Sequence, residues 1–146
     1  MRQHRAVQHL GTRQPFRVMT SVPPPTTMLH GTLRHLAAPR PFLTDGGLET
    51  DLIFHRGIDL PAFAAFVLLG ADGGREQLRA YYRPYLDLAR RHATGMVLEA
   101  PTWRANMDWG RGLGYGPRAL ARANRDAVGL LRSLARETPG VETVVS

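Results

Sequence analysis

A chain of 146 residues with formal net charge +7, 43% hydrophobic residues and no cysteine has the length of one ordinary domain. The missing cysteine excludes a disulfide, a thiolate nucleophile and any metal site built on the chain's own cysteines. No apolar run approaches the roughly 18–20 residues of a membrane-crossing helix, so no membrane partner is expected and the setting is read as cytoplasmic.

Residues 1–40 carry six of the 19 basic residues, four of the six histidines and no acid, and every basic residue of the chain is arginine. They hold Pro23-Pro24-Pro25 and no sustained periodicity, so they are expected to form a disordered basic leader. Residues 41–146 are close to neutral, and their arginines alternate with acids along helices, the pattern of a solvated face. A nucleic-acid partner is therefore not expected.

Phe42–Thr44 reads as a short buried strand that stops at Asp45. Leu48–Phe54 has room for a helical turn or two before Gly57, and Leu60–Leu69 is apolar with Pro61 suited to the first turn of a helix. From Arg75 to Ala93 the residues Leu78, Tyr81, Tyr82, Tyr85, Leu88 and Ala89 recur at helical spacing, and Pro84 is expected to kink that helix. Thr94–Glu99 reads as a buried strand ending in an acid, and Ala100–Tyr115 as a long polar and aromatic loop. Pro117 opens a helix to about Arg136 with Leu120, Ala123, Ala127, Leu130, Leu131 and Leu134 on its apolar stripe. Val141–Val145 is a third strand.

This alternation of strands and helices predicts an α/β chain with parallel crossovers. Asp45-Gly46-Gly47 and Glu99 then fall at carboxyl ends of strands, where parallel α/β folds place ligands. Two glycines can open their N–H groups to an anion while the neighbouring carboxylate holds a cation, which fits a zwitterion such as an amino acid. Asp-Gly-Gly is equally an ordinary turn. The run Gly110–Gly116 precedes a helix, but its spacing is not a phosphate-loop fingerprint.

Together, Thr44-Asp45-Gly46-Gly47-Leu48-Glu49-Thr50-Asp51-Leu52 and Leu98-Glu99-Ala100-Pro101-Thr102-Trp103-Arg104-Ala105-Asn106 resemble the homocysteine S-methyltransferase family, which includes S-methylmethionine- and betaine-dependent enzymes. The resemblance spans residues 41–146. It implies the first β/α units of a (β/α)8 TIM-type barrel, and methyl transfer from a sulfonium or ammonium donor to homocysteine, giving methionine. It carries homocysteine binding onto Asp45, Gly46 and Gly47. Glu99 and Thr102 match the polar segment after the second strand, where Glu99 either orients substrate or bonds backbone N–H groups at the barrel mouth. Trp103, Trp109 and Tyr115 are candidates for a wall around a cationic donor such as S-methylmethionine, or else they pack the loop.

The family's zinc is held by cysteines on later strands, and this chain has none. His55 and His92, the histidines of the folded part, belong to no ligand-spaced cluster. The resemblance thus implies substrate-binding residues, no catalytic residue and no metal ligand among these residues. The chain as it stands is expected to be the opening portion of such a barrel, inactive alone.

Overall fold

A computed structural model describes His35 and residues 38–146. The expectation of a disordered leader falls almost wholly on residues outside that set.

Three short parallel strands, β1 (Phe42–Thr44), β2 (Gly95–Leu98) and β3 (Thr143–Val145), form one sheet in the order β1-β2-β3. Leu43 pairs with Met96, and Leu98 with Val145. Four α-helices accompany them among the described residues: α1 (Leu48–Thr50), α2 (Gly74–Arg91), α3 (Met107–Gly110) and α4 (Pro117–Glu137). Met96 and Leu98 on the central strand are fully buried. α2 packs on β1 and β2, and α4 packs on β3. Each strand is thus followed by helical chain before the next parallel strand, as expected from the alternation.

α1 runs directly into one wide turn, Asp51–His55, closed by the Arg56 N–H on the Asp51 carbonyl at 3.1 Å. The apolar segment after it is not one α-helix. It forms two 3₁₀ segments, Pro61–Phe63 and Ala65–Leu69, because Ala62 and Phe63 take positive φ of 52° and 55° and break the hydrogen-bond ladder. α2 continues through Pro84. That proline lacks the N–H that would reach Ala80 O, and the Arg56 guanidinium lies 3.4 Å from the freed carbonyl. The expected long loop at Ala100–Tyr115 contains α3 and a 3₁₀ turn at Arg111–Leu113. Asn106 starts α3 as its cap, with Oδ1 accepting from the N–H groups of Asp108 and Trp109.

All six residues of the expected α4 stripe are buried. On α2 the stripe differs in one place: Leu86 is buried and Leu88 is 37% exposed.

Two glycines give opposite expectations. A Cβ on Gly74 would stand 2.2 Å from the Leu68 carbonyl oxygen, whereas one on Gly129, inside α4, meets nothing within 4 Å. Gly74→Ala is expected to lose about 1–3 kcal/mol through overpacking. Gly129→Ala is expected to gain about 0.5–1 kcal/mol from helix propensity. Urea unfolding of the two variants checks both signs.

Candidate functional site at the strand ends

Asp45 is the only buried charged residue among the described residues, at 8% exposure. It stands just past β1, and its Oδ1 accepts the Glu99 N–H at 3.0 Å just past β2. One carboxylate thus joins two neighbouring strand ends, and the sheet register that sets Thr44 beside Val97 brings them within reach.

Three tyrosines of α2 hold the same two loops. The Tyr81 hydroxyl donates to Gly46 O at 2.8 Å and lies 3.3 Å from Asp45 Oδ2. The Tyr85 hydroxyl also donates to Gly46 O, at 3.1 Å, and the Tyr82 hydroxyl donates to Glu99 O at 2.7 Å. A hydroxyl has one proton. Assigned to the shorter contact, the Tyr81 proton goes to Gly46 O, which leaves Asp45 Oδ2 able to accept from a further donor. Sequence reasoning assigned these tyrosines to the apolar stripe alone. The available signal was tyrosine where leucine or phenylalanine would fill a core equally well, since a buried hydroxyl needs a partner.

Burial raises the Asp45 carboxyl above its ordinary value, more than the hydrogen bonds from the Glu99 N–H and its own N–H lower it. The Glu99 carboxylate adds to the rise. Burial likewise raises Tyr81 and Tyr82, so both remain protonated donors. Asp45, Glu49 and Glu99 contribute to the rise at Tyr82. The strand ends therefore gather negative charge, an environment that favours a ligand cation.

Gly46 and Gly47 are exposed. Among the described residues neither N–H donates to a backbone acceptor. Gly47 has φ 69°, a conformation that favours glycine. An acid and two open N–H groups are thus adjacent at one strand end. Thr102 is half-buried, with its N–H on Ala100 O at 2.7 Å and its carbonyl accepting from the Ala105 N–H at 2.8 Å.

Trp103 and Trp109 face each other across Arg104. The guanidinium carbon lies 4.3 Å from the Trp103 ring centre and 3.6 Å from that of Trp109. Arg104 Nε and Nη1 are buried without a hydrogen-bond partner among the described residues. Each ring contributes about 0.5–2 kcal/mol, and each orphaned donor costs about 1–3 kcal/mol. The opposing effects are of one size, so Arg104 sits between the rings at little net gain. Tyr115 does not join this pair. It packs edge to face on Phe66 at 4.9 Å and lines a cavity of about 440 Å³ with Leu69, Arg118, Arg122 and Asp126. None of the strand-end residues lines that cavity.

Zinc, which the family resemblance implies, finds no fitting donor set here. No group of three or more His, Cys, Asp or Glu side chains that could hold a metal occurs among the described residues. No helix among the described residues is long and apolar enough to cross a membrane. Compared with models of protein families, with curated proteins and with solved structures, the chain matches none of them.

Proposed function

We propose that this chain carries the homocysteine-binding side of a homocysteine S-methyltransferase-type enzyme, built on the opening units of a (β/α)8 barrel. The observation that carries the reading is the pair of open N–H groups at Gly46 and Gly47 beside the buried Asp45 carboxylate. The α-carboxylate of homocysteine lies on the two N–H groups, and its ammonium donates to Asp45 Oδ2. Glu99 adds negative charge on the ammonium side. Trp103 and Trp109 form a wall for the methyl donor, a sulfonium such as S-methylmethionine or a quaternary ammonium such as betaine. The parallel order β1-β2-β3 supports the barrel reading, since such a barrel begins with adjacent parallel strands in sequence order.

Binding alone tests the proposal. In calorimetric titrations of the full chain, L-homocysteine is expected to bind at least about tenfold more tightly than 4-mercaptobutyrate or 3-aminopropanethiol. Each analogue lacks one of the two charges, and each lost charge-assisted hydrogen bond is worth about 1.5–3 kcal/mol. Equal affinity for all three, or binding of none, refutes the reading.

A further inference from the structure

We propose that Arg104 is an internal occupant of the slot between Trp103 and Trp109, displaced by a ligand cation that has no N–H donors, of the sulfonium or quaternary ammonium class. The inference deepens the reading of these tryptophans as the donor wall and rests on it. The backbone that carries the two rings is anchored: the Trp109 main-chain N–H donates to Asn106 Oδ1 at 3.3 Å, and Asn106 Nδ2 lies 3.5 Å from the Trp103 main-chain carbonyl oxygen. Asn124 Nδ2 donates to Ala105 O at 3.0 Å, fixing the turn to α4. The filler has no such anchor. Among the described residues Arg104 forms no ion pair, and two of its nitrogens are buried without an acceptor.

A guanidinium is therefore a poor match for this slot in one respect, its donors. A sulfonium or quaternary ammonium brings the same charge to both ring faces and leaves no N–H orphaned. An ammonium repeats the fault of arginine. The rings are reachable, since Trp103 is 66% and Trp109 45% exposed. The slot thus selects methylated cations, and the arginine holds the walls apart until one arrives.

The chain's two tryptophans are both in the slot, so tryptophan fluorescence reports on it alone. The intact chain is titrated with tetramethylammonium chloride and, at equal ionic strength, with ammonium chloride. Tetramethylammonium is expected to give a saturable change and ammonium none. Arg104→Gln, and Arg104→Met as a variant that keeps the apolar stem, are expected to bind tetramethylammonium at least about twofold more tightly, because an internal competitor held at little net gain fills the slot about half the time. The gain is expected to persist in 0.5 M salt (roughly a 4 Å screening length), where mere removal of a nearby surface charge would matter little. Trp103→Ala is expected to abolish saturation. Unchanged or weaker binding by both Arg104 variants, or equal responses to the two cations, overturns the proposal. Homocysteine calorimetry on the same samples separates the readings. Failure there with the tetramethylammonium results intact removes the substrate assignment and leaves the slot standing.

Discussion

Asp45→Asn is expected to weaken homocysteine binding by about thirtyfold or more while the chain stays folded. Removing one member of a buried, hydrogen-bonded charge pair costs roughly 2–5 kcal/mol of affinity, and the low end of that range corresponds to about thirtyfold. The asparagine Oδ1 can still accept the Glu99 N–H that Asp45 accepts at 3.0 Å, so the two strand ends remain joined. Asp45→Ala lacks that acceptor and is expected to lose an additional 1–3 kcal/mol or so of stability through the orphaned N–H. An asparagine variant with unchanged affinity would remove Asp45 from the site.

The same substitution has a pH signature. The folded Asp45 carboxyl is raised above the ordinary 3.8, with burial as the leading cause. Its stabilising contribution is therefore complete below that ordinary value and is lost as pH rises through the raised one. Unfolding of wild type against Asp45→Asn is expected to show wild type losing ground as pH climbs from 3.8. Asp51 has the opposite sign. Burial opposes it, but hydrogen bonds from Arg56 and His55 hold its carboxyl below the ordinary value, so its contribution is present above 3.8 and lost as pH falls through the lowered value. Homocysteine affinity is expected to rise with pH through the raised Asp45 value, since an ammonium prefers the ionised carboxylate, and to lose that dependence in Asp45→Asn.

Leu86→Ala is expected to destabilise the chain by about 2–5 kcal/mol, the usual cost of a buried leucine-to-alanine cavity. Leu88→Ala, on a side chain 37% exposed, is expected to stay within about 1 kcal/mol. Chemical unfolding of the pair measures both. Equal losses would place the buried edge of α2 on the wrong side.

This pair also marks how far the fold is legible in the sequence. At roughly 100° per residue, Leu78, Tyr81, Tyr82, Tyr85 and Ala89 cluster on one face of α2, and Leu86 and Leu88 flank it at about 80° on either side. Periodicity finds the face and cannot choose the flank. The choice is made by what packs there, and that comes from chain distant in sequence. The α4 stripe needed no such choice, because its six apolar residues form one continuous band. Pro61 misled in a similar way: it suits a helix start, but Ala62 and Phe63 adopt positive φ, which no rule of residue type indicates for alanine or phenylalanine.

At the site, Asp45 and Glu99 were legible as strand-end acids because strand ends can be read from where the apolar runs stop. Their direct link, Asp45 carboxylate to Glu99 N–H, depends on register and was not. Trp103, Trp109 and Tyr115 are legible together as candidate aromatics of one wall, whereas the pairing of the two tryptophans about Arg104 could be seen only once the turn at Ala105 and the cap at Asn106 were in place. Tyr115 shows the converse. It lies close to Trp109 in sequence, yet its aromatic contact is with Phe66.

The central claim is that homocysteine sits on the Gly46 and Gly47 N–H groups beside Asp45. Amide-resolved nuclear magnetic resonance of the full chain, titrated with L-homocysteine, tests it most directly. The account predicts that the Gly46, Gly47 and Glu99 amides shift most and saturate together, and that Asp45→Asn removes the shifts. Silent amides at those three positions, or saturation instead at the cavity between Phe66 and Tyr115, would contradict it.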